Sequence, residues 1–539
     1  MTLGYTLQTG DWLVLVVYVL LLLGAGWFLS RPKAGAAKGD TRGYFLASRS
    51  MPGWAVAISI LATTQSAATF VGVPQNGFRL DFTYVLTSLG AIVAALVVAV
   101  LFLPAYYRLD VATPYQLLET RFGAGARKTA SLWYLVGRMM ANGARVYIGA
   151  LPVAMALYGE AVPSAWQILS CVAVFMAFGA VFTLSGGVCA AIYSDVIQVA
   201  VYLGAAVVII AVLLWAIPAS PAEILHGVVH PSEGTPAPTW FRLGIGDAKP
   251  WTEFSLVAAL TGTALLNIGW FATDQDLTQR LLACRSSAAA ARSLIGSTVA
   301  VGLPVVLLFM TLGVLLNVYY TRADLMGAAG AAGKPEGDPI INFVFLHSPV
   351  GVAGLMFAGL LAAGPAGINS SLNSMASSFI TDIYRPARPG REERHYVAVG
   401  RWATVAAGLV MGLFVVLCVF WQRESGKQLI EFALSVMVFA YAGLVGVFFC
   451  ALFTRRGGNG SAIAAMIAGF VAVVAMQGFI WKPIVGARTP EELWSLAPWA
   501  ALASPWQLCI GTALSFTVCA LTAPRTSGMA GGGGAGGAR

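Results

Sequence analysis

Charge is scarce in this chain. Only 10% of its 539 residues are Asp, Glu, Lys or Arg, against about 25% in an average soluble domain. No set of soluble cores made from this sequence has enough charge to cover its surface, so a soluble enzyme, a disordered chain and a nucleic-acid-binding module are excluded. Histidine is rarer still. His226, His230, His347 and His395 all lie in or near loops, which leaves no haem ligand at a helix centre. The His226/His230 pair is spaced i,i+4 but has no Glu beside it and no apolar helix around it, so it reads as surface rather than a metal site. The seven cysteines form no C-x-x-C pair and lie in or near the ends of apolar stretches, as small core residues. A phosphate-binding glycine loop with its lysine is also missing, which argues against ATP as a driving force.

What the chain has is apolar sequence. Hydrophobic residues make up 58% and the mean hydropathy is +0.78. A spanning helix needs roughly 20 mostly apolar residues. Thirteen stretches qualify: 11–30, 52–78, 82–105, 129–158, 164–184, 188–217, 254–279, 293–320, 343–382, 397–421, 428–454, 459–481 and 499–522. The ninth is long enough to require a tilt or a part outside the bilayer. The loops 218–253 and 321–342 are rich in Pro, Gly and small residues and carry no strong helical period. The tail 523–539 is Gly-rich and reads as disordered. The expectation is an all-α polytopic membrane protein. Lys and Arg number 21 in one set of alternate loops and 9 in the other, which predicts an outside N-terminus and a cytoplasmic C-terminus in the plasma membrane.

Two spans are polar where lipid-facing helices are not. The second contains Thr63-Thr64-Gln65-Ser66, followed by Gly72, Pro74 and Gly77. The seventh contains Thr261-Gly-Thr-Ala-Leu-Leu-Asn-Ile-Gly-Trp270. Backbone groups freed by a break cost several kcal/mol each in lipid unless they line a cavity or bind something. A pair of such interruptions, five spans apart, is the sequence pointer to a secondary transporter built from two repeats. The repeats then cover 52–217 and 254–454, with an extra helix at 1–30 and two more spans in 459–522. The alternative is that Ser and Thr only back-bond to their own helix.

The fourth span holds two arginines, Arg138 and Arg145, seven residues apart and so on nearly one face, with Asn142 between them. An arginine at mid-membrane costs at least ~2.5–3.5 kcal/mol, so it needs a wet cavity or a partner. One reading has Arg138 or Arg145 grip an anionic solute bidentately. The other has Arg138 reach the cytoplasmic interface, or one of the two pair with Asp195.

Several segments resemble the sodium:solute symporter family: Tyr44-Phe-Leu-Ala-Ser-Arg-Ser-Met-Pro-Gly-Trp54, Thr113-Pro-Tyr-Gln-Leu-Leu-Glu-Thr-Arg-Phe122, Gly186-Gly187 with Ser194-Asp-Val-Ile-Gln198, Gln279-Arg280, and Leu372-Asn-Ser with Asp382-Ile-Tyr384. The resemblance implies a LeuT-type 5+5 inverted-repeat fold and alternating access. It implies uptake of a small polar organic solute (a sugar, sugar acid or carboxylate) driven by sodium. It places a sodium site on the carbonyls of Ala62, Gln65 and Ala363. The two hydroxyl ligand positions of that site fall on Ala366 and Gly367, which is a departure, because a hard cation wants several oxygens. Pro365 exposes one more carbonyl, and Asn369, Ser370 and Asp195 resemble a second cation site found in some members. Sodium, proton coupling on Asp195, or no coupled ion all stay open, as does a plain helix-capping role for Asp195. On the solute side, Thr64, Ser66 and Thr69 match contact positions of the sialic acid-transporting branch. Asn267 matches an amide of the sugar-transporting branch, and Trp270 with Phe271 falls on its aromatic gate. A solute-sensing receptor of the same fold would need a separate kinase. The partners implied are a small solute and the lipid bilayer, with no nucleic acid and no obligate protein partner.

Overall fold

The computed structural model describes residues 7–29, 47–160, 162–231, 237–243, 253–327, 330–333, 335, 337–425 and 429–521. The tail 523–539 lies outside them. The first helix, α1, runs Thr9–Leu29. The second span is two helices, α2 (Gly53–Thr64) and α3 (Ala67–Phe78), bent by 69°. Then come α4 (Phe82–Arg108), α5 (Ala124–Tyr158) and α6 (Ala165–Ala216). The second half holds α7 (Leu256–Thr273), α8 (Gln275–Leu282), α9 (Ser287–Thr321), α10 (Val352–Ser378), α11 (Glu393–Ser425) and α12 (Leu429–Phe453). Two more, α13 (Asn459–Ala475) and α14 (Ser504–Ala520), close the chain.

Among the described residues, six helices are long and apolar enough to cross a membrane, and two bent pairs, α2/α3 and α13 with Gly478–Val485, qualify if each counts as one span. The apolar surface points the same way. Leu409, Leu413, Leu417 and Phe420 form an exposed stripe on α11, which only lipid covers at no cost.

Two expectations change, and one is kept. Helical backbone extends from Ala165 to Ala216, but the segment is not one straight helix: it doubles back, as two separate spans require. A methyl group at Gly364 would meet Phe175, and one at Gly359 would meet Ala205, whereas a straight helix from 175 to 205 spans about 45 Å. The two α6 halves therefore both pack on α10. The ninth span is divided: a short helix, Pro339–Leu346, capped by Asp338, precedes α10. The loop 218–253 holds a helix at Pro221–Val229 with a Ser220/Glu223 capping box, a local signal that needs no long apolar period.

Helices cross closely where glycine allows it. A Cβ on Gly77 of α3 would lie 2.3 Å from the Met310 carbonyl of α9, and one on Gly313 would lie 2.1 Å from the Pro74 carbonyl. Small residues let membrane helices approach backbone to backbone. Asp11 of α1 accepts the amides of Gly351 and Gly354 at 2.9 Å each, capping α10 from a different helix.

Candidate functional site

The break in the second span begins with its own threonines. Thr63 Oγ1 donates to the Ser59 carbonyl at 2.9 Å and Thr64 Oγ1 to the Leu61 carbonyl at 3.0 Å. Back-bonding of this kind weakens the helix at its end. Gln65 and Ser66 are then extended, with ψ of 155° and 170°. The carbonyls of Ala62, Thr63 and Thr64 are left without a helical partner. Arg145 of α5 takes one of them: its Nη1 donates to the Thr63 carbonyl at 3.2 Å.

The second break lies elsewhere than the polar run suggested. Thr261 to Trp270 stays helical, with π turns at Ala259–Thr263 and Gly269–Thr273. The chain becomes extended only at Asp274 (φ −93°, ψ 123°). The expected unwinding within 261–270 is thus corrected. The physical reason is that Asn267 and Thr273 bond back to the carbonyls of Thr263 and Gly269, and the wide π turns absorb the polar residues without leaving the helix.

Beside the first break is a cavity of about 130 Å³, lined by Thr64, Gln65, Asn267, Trp270 and Phe271 together with residues of α4 and α9. Three of the expected solute residues, Thr64, Asn267 and Trp270, therefore share one wall system. Arg145 stacks on Trp270, 4.4 Å from the ring centroid, a cation–π contact. Two buried polar atoms here have no partner among the described residues: Gln65 Oε1 and Trp270 Nε1. A third, Nδ2 of Asn142, lies on α5 one turn before Arg145. Orphans of this kind are rare in folded proteins and call for an explanation. Ser66 and Thr69 are buried but do not line this cavity.

Arg138 does not face the cavity. Its side chain is fully buried, with Nε on Ser371 Oγ at 3.0 Å, Nη1 on Asp274 Oδ2 at 3.1 Å, and Nη2 on Asp276. The expectation that it holds solute or reaches the interface is corrected, because its fork is filled by two aspartates. Arg280 extends the network: it bonds Asp276 Oδ1 at 2.7 Å, Asp195 Oδ2 at 3.0 Å and Ser59 Oγ at 2.7 Å. Ser370 and Ser371 donate to Asp276, and Tyr441 donates to Asp274 at 2.7 Å. Asp195 thus sits within α6 against Ser59 and Arg280 and caps nothing. Its arginine partner is Arg280, not Arg138 or Arg145. Three carboxylates and two guanidiniums make up this network, and Arg145, whose charge also acts on Asp274 and Asp276, brings the arginines level with the aspartates.

Asp274, Asp276, Ser59, Ser371 and Tyr441 were missed from sequence, and Arg280 was noted without a role. A signal existed. Asp274-Gln-Asp-Leu-Thr-Gln-Arg280 puts two carboxylates and a guanidinium into seven residues at the end of an apolar span, and such charges need partners. Of the expected sodium positions, Ala62 and Ala363 are buried, and Ser370 has joined the network. The side chains at Ala366, Gly367 and Asn369 lie outside the described residues.

Comparison with known proteins supports the same architecture. The sodium/sialic acid symporter SiaT of Proteus mirabilis is 27% identical over 497 residues, covering 89% of this chain and 92% of that protein. The sodium/glucose cotransporter of Vibrio parahaemolyticus is 26% identical over 471 residues, covering 85% and 83%. A solved structure of a Na+-coupled sialic acid symporter, substrate-bound and outward-open, superposes with a TM-score of 0.77 at 23% identity, over 96% of this chain and 98% of that one. The fold is accordingly of the LeuT type. A family model described as the sodium:solute symporter family matches residues 44–469, and the chain, a multi-pass membrane transporter and not an enzyme, belongs to that family.

Proposed function

We propose that this symporter carries a small organic solute bearing a carboxylate, a sugar acid or simpler carboxylate, with Arg145 as the group that holds the charge. The observation behind this is the state of Arg145. Among the described residues no carboxylate pairs with it. Its Nη1 rests on the Thr63 carbonyl, its Nη2 on the Met437 sulfur at 3.7 Å, and its plane on Trp270, which lines the cavity. The partners of this half-buried guanidinium are thus all neutral, and a carboxylate is the group that a guanidinium grips bidentately. Gln65 Oε1, Trp270 Nε1 and Asn267 supply polar groups for the rest of the solute. Ser66 and Thr69 join them when the break opens. The names of the similar proteins, which carry sialic acid or glucose, agree with a polyhydroxylated solute.

Coupling is to sodium moving inward. Supporting this are the freed carbonyl of Ala62 at the first break and the similarity to sodium symporters. Repeats 52–217 and 254–454 alternate access around the cavity. The Lys and Arg bias sets the N-terminus outside and the C-terminus in the cytoplasm of a plasma membrane.

Proteoliposome uptake tests the reading. A panel of small carboxylates and their neutral amides is offered under a sodium gradient, a pH gradient, or neither. The expected result is concentrative uptake of a carboxylate with sodium, at least tenfold slower for its amide, and abolished in Arg145→Ala. Equal uptake of acid and amide, or wild-type uptake by Arg145→Ala, would overturn the carboxylate assignment. Uptake driven by pH alone would overturn sodium coupling.

A further inference from the structure

Away from the transport path, residues 385–401 join α10 to α11 and contain five arginines against two acidic residues, Glu392 and Glu393. We infer that this corner binds an acidic phospholipid, with the lipid phosphate on Arg391 and Arg401 and the acyl chains along the exposed face of α11. The inference needs only the membrane fold, and neither the solute nor the ion reading.

The charge at the corner is unbalanced. Arg385 pairs with Glu393 and Arg394 with Glu392, which uses both carboxylates. Arg388, Arg391 and Arg401 are exposed and have no carboxylate partner among the described residues. The loop that carries them is also built rather than loose. Tyr396 is buried, donates to the Arg388 carbonyl at 2.8 Å and accepts the Arg391 amide at 3.2 Å. The Arg385 guanidinium lies 4.5 Å over the same ring. Tyr384 Oη stands 3.0 Å from His395 Nε2, and Gly390 supplies the left-handed turn, at φ 77°. A backbone held in this way loses little freedom when a ligand arrives.

The apolar half of the site follows from the register of α11. Arg394, Arg401, Val405 and Leu409 are spaced seven, four and four residues apart and share one face. Val405 and Leu409 are exposed, as are Trp402, Leu413, Leu417 and Phe420 beside them. From Trp402 to Phe420 the helix rises about 27 Å, close to the ~30 Å of a bilayer's hydrocarbon. Trp402, 74% exposed, then falls at the membrane–water boundary, where tryptophan is favoured. Arg401, Arg394 and the pinned loop stand just beyond it, at the level of the headgroups. A phospholipid upright against α11 brings its phosphate to these arginines. Guanidinium binds phosphate bidentately. A zwitterionic lipid carries its own cation, whereas an acidic lipid offsets the three unpaired charges.

The test is native mass spectrometry of the purified full-length protein, titrated with phosphatidylglycerol or with phosphatidylcholine of the same acyl chains. Wild type is expected to retain phosphatidylglycerol at least fivefold better. Arg391→Gln/Arg401→Gln, which leaves the backbone bonds to Tyr396 in place, is expected to lose that preference. Arg455→Gln/Arg456→Gln removes the same charge from two exposed arginines before α13 and is expected to keep it. No preference in wild type, an unchanged preference in Arg391→Gln/Arg401→Gln, or equal loss in both variants would overturn the proposal. Glycerol 3-phosphate, a headgroup without chains, is expected not to displace the lipid at equal concentration. Displacement would mean a site for soluble phosphate and would overturn the role of α11. If Arg391→Gln/Arg401→Gln does not fold, Arg401→Glu decides, and an undiminished preference there overturns the assignment.

Discussion

At the scale of single residues, the two arginines of α5 show how similar sequence contexts acquire opposite roles. They are seven residues apart on one helix face, and nothing in that spacing ranks them. The structure separates them by what lies opposite. Arg138 meets Asp274 and Asp276, both fully buried, while Arg145 meets a carbonyl, the Met437 sulfur and an indole ring. Removing one member of a buried pair strands the other charge, at a cost of about 3–5 kcal/mol. Arg138→Met is therefore expected to lower Tm sharply in detergent. The double variant Arg138→Met/Asp274→Asn, which removes one charge of each sign, is expected to recover part of the loss. A melting scan of wild type and both variants checks this. A double variant no better than the single one would mean that Arg138 stabilises by packing rather than by charge. Arg145, which holds no carboxylate, makes the contrast: its loss is expected to spare Tm and remove uptake.

At the scale of elements, the break of α2/α3 was legible because its cause is local. Two threonines, a glutamine and a serine in succession compete for the backbone that the helix needs. The second break was not legible where it was sought. The polar residues 261–267 bond within their own helix, and the extended residue is Asp274, which caps α8 by accepting the Asp276 amide at 2.8 Å. An Asp before Gln-Asp is a helix-start signal, and it was passed over because hydrophobicity rather than capping set the span boundaries. The division of the ninth span was hidden for a similar reason, since tertiary contacts set it and composition does not report contacts. The glycine crossing of α3 on α9 belongs to this scale too. Gly77→Ala places a methyl carbon 2.3 Å from the Met310 carbonyl. Backbone cannot yield as a side-chain tip does, and overpacking costs typically 1–3 kcal/mol. Gly77→Ala is expected to lower Tm, whereas Gly412→Ala, which meets nothing within 4 Å, is expected to leave it unchanged. Equal Tm values for the two would remove the crossing as a constraint.

At the scale of the whole molecule, both ends of the transport path are tied by hydrogen bonds between elements. Under the proposed orientation the cytoplasmic end is tied by Arg127 of α5. It bonds Glu119 of the short helix Tyr115–Phe122 at 2.6 Å, Asp382 beyond α10 at 2.7 Å, and the Thr381 carbonyl at 2.7 Å. Thr113 Oγ1 adds a bond to Asp382 at 2.7 Å. The outer end is tied by several bonds, among them Gln75 of α3 to Asp338 at 2.7 Å and Asn317 of α9 to the Phe78 carbonyl at 2.7 Å, beside a 500 Å³ cavity. Charged hydrogen bonds are worth about 1.5–3 kcal/mol each, so the inner tie at Arg127 is a strong one. Alternating access requires it to release, and its strength then sets how rarely the inner side opens. Losing ~2 kcal/mol from one state shifts a two-state equilibrium about 30-fold. Arg127→Gln removes the charge and is expected to raise amide hydrogen exchange in 115–122 and 379–384 at least tenfold, with exchange in α13 and α14 unchanged. Solute bound from outside is expected to weaken in proportion, since the outward state is less populated. Exchange that rises equally everywhere would indicate loss of fold rather than a released gate, and exchange that does not rise would show that the inner end is closed by packing alone.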